Sequence, residues 1–277
     1  MSRPGFVLEV DRSTPPVVFH HGDTLRLERL PVGRSRIVYP AEPLEGLKDP
    51  DEAIRQALLN PLGDSAPLPE LLTAGMKLTV AFDDISLPLP PMRRPDIRQR
   101  IIEAVLDLAA AAGVDDVHLI AALALHRRMT EAELRHAVGD RVYDAFAPHG
   151  MLVNHDAEDP DNLAFLGTTP HGEEVEINKR AAESDLLVYV NINLVSMDGG
   201  HKSTATGLSS YRSLRHHHNV QTMRHSTSFM DQHKSELHSS NWRQGKVIRD
   251  AGVKIFQIET TLNNNTFGSS GPMSMLQ

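Results

Sequence analysis

The chain has 277 residues, 40% of them hydrophobic, enough for one large domain or two small ones with a buried core. Its net charge of −8 offers no basic surface to nucleic acid, no apolar run of about 18 residues is present to cross a bilayer, and MSRPGFVLEVDR lacks a signal-peptide core. Cysteine is absent, which excludes disulfides and protein thiolate ligands and makes a cytoplasmic setting the expectation.

In chain order, residues 1–35 read as an extended, proline-punctuated N-terminal extension, with FVLEV and RIVYP as short strands. DPDEAIRQALLNPLG (49–63) predicts a short helix ended by Asn60-Pro61. LTVAF (78–82) is a buried strand that runs into DDISLPLPP, which prolines at 88, 90, 91 and 95 keep extended. DIRQRIIEAVLDLAAAAG (96–113) places Ile97, Ile101, Val105 and Leu108 on one helical face, with Gly113 as its cap. VHLIAALAL (117–125) predicts a second strand, followed by His126 and a capping box from Thr130 to Glu133. LLVYVNINLV (186–195) and VKIFQIET (253–260) complete four predicted strands of an α/β fold, a mostly parallel sheet with flanking helices. Asp83, Asp84, His126 and Lys202 each lie just past a predicted strand. Open parallel sheets bind ligands outside those carboxyl ends, so the convergence predicts a site there.

The third strand feeds GGHKSTATGLSSYRSLRHHHN (199–219), in a chain whose 15 histidines are concentrated between His201 and His238. Three readings of this stretch are open on spacing alone. A phosphate loop of the G-x-x-x-x-G-K-[ST] type needs glycines where Ser196 and His201 stand. A metal site is limited because successive helical side chains diverge by about 100°, so only one of the three adjacent histidines faces a given centre. The third reading is an exposed Gly/Ser loop followed by a polar helix.

FDDISLPLP (82–90), ALHRRMTEAEL (124–134), the run from Val153 to Val188, GGHKSTATGL (199–208) and HHHN (216–219) together resemble the N-terminal domain of the lactate racemase family. The likeness covers about residues 30 to 265 and includes the sixteen-residue step from Lys202 to His218. What it implies is a nickel pincer nucleotide, a pyridinium-dithio mononucleotide with Ni, covalently attached to Lys202. By the same resemblance, Gly199, Gly200 and Asp84 bind that cofactor, His218 completes the metal's coordination, and His126 is the catalytic acid/base. The implied activity is racemisation or epimerisation of a 2-hydroxy acid by proton-coupled hydride transfer. A hydride acceptor avoids the carbanion that the substrate carboxylate disfavours, and soft sulfur ligands carried by the cofactor suit a cysteine-free chain.

Two departures from the family pattern stand out. Ile192 occupies the place of the family's second histidine, ten residues before the lysine, and Leu87 that of a substrate-binding arginine. Arg93 and Arg94 are nearby replacements or solvated loop charges. The resemblance implies a cofactor-binding domain over 36–265; family members continue into a second, closing domain, whereas here 266–277 reads as a loose tail, so the expectation is a truncated chain or a lid supplied by a partner subunit. The expected partners are a small 2-hydroxy acid or sugar acid, cofactor-synthesis enzymes and a lid-supplying subunit, with neither nucleic acid nor membrane. The alternative is a non-catalytic metal- or cofactor-binding module derived from that family.

Overall fold

The computed structural model describes residues 7–21, 24–38, 45–85, 91–263 and 266. Chain contacts separate residues 1–45 from residues 46–277 as two units. In the first, β1 (Val7–Glu9) pairs antiparallel with β4 (Arg36–Val38), and β2 (Val17–His21) pairs antiparallel with β3 (Thr24–Glu28). The described parts of the predicted FVLEV and RIVYP strands are thus partners of each other; Phe6, Tyr39 and Pro40 lie outside the described residues.

The second unit is built on a five-stranded, wholly parallel sheet. Its strands are β5 (Lys77–Asp83), β6 (Asp116–Ala122), β7 (Leu152–Asn154), β10 (Leu186–Asn193) and β11 (Ile255–Thr261), in the order β11-β10-β5-β6-β7. An antiparallel pair, β8 (Leu163–Thr168) and β9 (Glu174–Asn178), interrupts the series. The α/β expectation holds. The fifth strand, β7, is too short to show an apolar run in the sequence.

The two-residue period of the strands sorts their side chains onto opposite faces. Leu78, Val80, Phe82, Leu119, Val188 and Val190 pack with the helices Pro50–Leu59, Ile97–Ala111 and Glu131–Val138 in one core cluster. Ala81, Ile120, Ala122, Leu187 and Tyr189 form a second cluster with Leu208. Burial on both faces explains why these strands read as continuous apolar runs. Phe82 is wholly buried, and truncating such a ring to alanine costs about 3–5 kcal/mol. The predicted helix ends are also found: Asp96 caps Ile97–Ala111 at its start, Gly113 follows it at φ 74°, and Thr130 and Glu133 form the reciprocal capping box.

From β5 the chain builds outward through β6 and β7, and from β10 it builds the other way to β11. The carboxyl ends of β5 and β10 therefore flank the point where strand order reverses. A parallel sheet opens a crevice at such a point.

Candidate functional site

A cavity of about 830 Å³ opens over that crevice. Asp83 and Asp84 reach it from the end of β5, Tyr189, Asn191 and Ile192 from β10, His126 from the turn after β6, and Gly199, Lys202 and His218 from the segment after β10. Of the residues singled out in the sequence, Asp84, His126, Gly199, Lys202 and His218 all line this one cavity. Gly200 does not line it; its amide N–H is donated to Glu259 Oε1 at 2.8 Å. Leu87 lies outside the described residues.

His126 owes its position to an early strand end. The predicted strand to residue 125 stops at Ala122, because Ala124 adopts φ 50° and donates its N–H to the Gly207 carbonyl. The chain then turns back, with His126 N–H bonded to Leu123 O. His126 Nδ1 lies 3.0 Å from Asp84 Oδ2 while the imidazole stays half exposed. That hydrogen bond raises the His126 pKa above the ordinary imidazole value, against the opposing effect of burial. A carboxylate on Nδ1 holds the hydrogen there and leaves Nε2 of the neutral ring as the proton acceptor. The Asp83–Asp84 segment is fixed by Arg98, a buried residue not singled out in the sequence. Arg98 pairs with Asp96 through two nitrogens and donates to the carbonyls of Asp83 and Asp84 at 2.9 and 3.0 Å.

Asp83 points to the other face of β5. It accepts from Tyr189 Oη at 3.0 Å and from the Ile192 N–H at 2.7 Å, tying β5 to β10. Burial pushes its carboxyl up to about 7, opposed by these hydrogen bonds. Tyr189 can reach Asp83 only because residue 207 is glycine, where a Cβ would lie 2.3 Å from the phenol oxygen.

The lysine segment is held from several directions. β10 ends at Asn193 rather than 195 because the amides of Leu194 and Val195 both donate to Asp198 Oδ2, capturing them from the ladder. The other oxygen of Asp198 accepts from Lys202 Nζ at 2.7 Å, with the lysine side chain 22% exposed. Glu259 on β11 receives Asn191 Nδ2, Asn193 Nδ2 and the Gly200 amide. Asn191 in turn accepts from Ser203, so the residues flanking Lys202 are tied to two strands. Gly199, at φ 85°, has no room for a side chain: a Cβ would sit 2.5 Å from Glu259 Oε2. The backbone continues as one π-helical stretch, Ser203–Gly207.

The three adjacent histidines diverge, although they lie in the turn that follows the helix Tyr211–Leu214 rather than on a helix. His216 Nε2 accepts the Glu174 amide, His217 is buried, and His218 faces the cavity. Burial lowers the pKa of His218, with the Lys202 and His126 charges adding to the effect. Arg94 pairs with Asp140, and Arg127, which lines the cavity, pairs with Glu133. Among the described residues no three histidine, aspartate or glutamate side chains come together as a metal site of their own. A metal here would need ligands from a bound molecule beside His218.

A model of the lactate racemase N-terminal domain matches residues 22–231. The chain belongs to that family. Lactate racemase of Thermoanaerobacterium thermosaccharolyticum is 25% identical over 211 residues, covering 68% of this chain and 46% of that protein. Lactate racemase of Lactiplantibacillus plantarum is 27% identical over 171 residues, covering 60% and 38%. The chain thus spans less than half the length of these two curated relatives. The lactate racemase apoprotein structure from T. thermosaccharolyticum superposes at TM-score 0.63 and 20% identity, over 91% of this chain and 57% of that one. A Thermotoga maritima crystal structure gives 0.58 and 18%, over 81% and 54%. The fold is therefore that of the lactate racemase N-terminal domain, and among the described residues no helix is long and apolar enough to cross a membrane.

Proposed function

We propose that this chain is the cofactor-binding part of a racemase or epimerase acting on a small 2-hydroxy acid, with a nickel pincer nucleotide carried on Lys202. The observation that supports this best is the meeting of Lys202, His218 and the Asp84–His126 pair on one cavity at the strand-order reversal. The donor set fits such a group. One amine can form the covalent link, one imidazole can serve the metal, and no competing cluster of protein ligands is present among the described residues. Gly199 admits close packing of the loop, and Asp198 orients Lys202 Nζ.

When bound, the nucleotide would supply an acceptor for the hydride of the substrate carbon. His126 removes the substrate hydroxyl proton through Nε2, and Asp84 stabilises the imidazolium that results. Ile192, Leu194 and Val195 give the cavity apolar side chains against which the substrate's carbon chain can pack. Co-expression with cofactor-making enzymes should add the nucleotide mass to Lys202 and one nickel per chain. An unmodified Lys202 after that co-expression overturns the reading.

Ile192 favours a second reading, in which the chain holds the same group without turnover. It lines the cavity and presents no proton-transfer group. The loaded chain would then leave the configuration of every 2-hydroxy acid unchanged, whereas the catalytic reading requires racemisation or epimerisation, followed by chiral chromatography, that is lost in His126→Ala.

A further inference from the structure

The lysine segment meets the helix Glu236–Asp250 along one face of that helix. Asn241, Gly245 and Ile248 stand four and three residues apart, a spacing that stacks them in a single stripe. Asn241 Oδ1 accepts from Thr206 Oγ1 at 3.0 Å, and Ile248 shares a buried cluster with Ala205. Gly245 is the third point of contact. A Cβ there would lie 2.3 Å from His201 Nδ1, 2.4 Å from its Cγ and 2.8 Å from its Cβ. The root of the His201 side chain, and not only its far end, therefore lies against bare helix backbone. A glycine in a helix interior is disfavoured relative to alanine, and the seat it leaves for His201 gives it a reason to be there. His201 itself stands where a phosphate loop would carry glycine. The small residue is on the facing helix instead.

This packing bears on the residue that follows. Residues 201 and 202 are helical, with Lys202 at φ −58° and ψ −36°. Successive helical side chains diverge by about 100°. Fixing the His201 ring against the helix therefore fixes the direction in which Lys202 leaves the backbone. That direction is toward the cavity, where Asp198 takes Nζ at 2.7 Å.

We propose that His201 is a positioning residue for Lys202, and that Gly245 is the notch that seats it. This rests on the reading of Lys202 as the attachment point of the nucleotide. Glu259 holds the Gly200 amide from strand β11, and His201 holds the next residue from the helix side. The amine is thus aimed before it meets the group it bonds to, and aim is what a bond-forming step is most sensitive to.

A double-variant cycle at positions 201 and 245 tests the seat. In the cofactor-free chain, Gly245→Ala should lower the thermal unfolding midpoint, because the ring must leave its place. In a His201→Ala background the same change should raise the midpoint, since no ring is displaced and alanine favours the helix. The same sign in both backgrounds overturns the seat. The aim of Lys202 has a separate readout, trace acetylation by acetic anhydride followed by peptide mass spectrometry. Relative to the exposed Lys48, Lys202 should react several-fold faster in Gly245→Ala and in His201→Ala, because its amine is less firmly held by Asp198. His201→Phe, whose ring fills the same notch, should keep the unaltered rate. A structural role confined to the helix would leave Lys202 acetylation unchanged, and that result overturns the proposal. On co-expression with cofactor-making enzymes, Gly245→Ala should slow the gain of nucleotide mass on Lys202 by about 10–100-fold, with His201→Phe loading like the unaltered chain. Equal loading of Gly245→Ala and the unaltered chain also overturns it. If Lys202 is modified in none of these chains, the functional reading fails, while the unfolding cycle and the acetylation rates still decide the seat.

Discussion

The two sides of the cavity are held in different ways. On the β5–β6 side, His126 hangs from a tight turn, half exposed, with its ring bonded to Asp84. On the β10–β11 side, the lysine loop is pinned by Glu259, Asn191, Asn193, Asp198 and Ser203 before Lys202 meets any ligand. A group that moves a proton needs a suitable pKa and room to adjust. A group that anchors a cofactor covalently needs a fixed starting geometry, because small displacements at a reacting centre are costly in rate. The difference between the sides matches the two proposed tasks.

The largest expected effect comes from the lightly held side. His126→Ala should lower the rate of racemisation or epimerisation by about 10²–10⁴-fold, the usual range for a general base, while leaving the Lys202 mass increment intact. Loss of the modification instead would show that the two sides are not separate in function. Gly207→Ala attacks the packing that joins them, since its Cβ would overlap the Tyr189 hydroxyl and crowd Ala122. A loss of about 1–3 kcal/mol in denaturant unfolding is expected for such overpacking. An unchanged midpoint would mean that Tyr189 can leave Asp83 freely.

The pinned side is probed by a pair of glycines three and two residues before the lysine. Gly199 and Gly200 both have positive φ, so alanine strains either by about 1 kcal/mol. Only Gly199→Ala also collides with Glu259, whereas open space surrounds a Cβ at Gly200. Gly199→Ala should therefore destabilise more and slow Lys202 modification, with Gly200→Ala close to the unaltered chain in modification. Equal behaviour of the two would remove Glu259 from its assigned place.

Two pH effects are smaller. Asp84 raises the His126 pKa, so Asp84→Asn should move the His126 NMR titration to lower pH. If neutral His126 is the base, the rising limb of the pH–rate profile moves the same way. Asp83 is the opposite case to an ion-paired carboxylate. Its folded pKa, about 7, is above that of an unfolded aspartate, so the folded chain binds the proton more tightly. This contribution is complete below about pH 4 and is lost as pH rises through about 7. Asp83→Asn should flatten stability across that interval, as followed by thermal unfolding, and an unflattened curve would place the Asp83 titration elsewhere.

Much of this architecture was legible before folding. The runs at 78–82, 117–122 and 186–193 are largely apolar on both strand faces, and Asp83, Asp84, Asn191 and Asn193 cluster at the carboxyl ends of two of them. The predicted overruns, to 125 and 195, had tertiary causes. Ala124 turns because Gly207 offers a carbonyl, and Leu194 and Val195 leave the ladder for Asp198. Asn191 and Asn193 are both committed through their amides to Glu259, on a strand more than sixty residues away. No local pattern carries that pairing.

The sequence by itself determined a parallel α/β unit and the strand-end positions of Asp84, His126 and Lys202, because strand and helix periods and caps are short-range properties of the chain. The tertiary structure alone decided that β10 lies beside β5, which brings those residues to one cavity and sends Arg98 beneath Asp83 and Asp84. It also separated three consecutive histidines into a buried, a half-buried and a cavity-facing ring. Strand order and side-chain partners depend on contacts between residues far apart in the chain, which only the closed core selects.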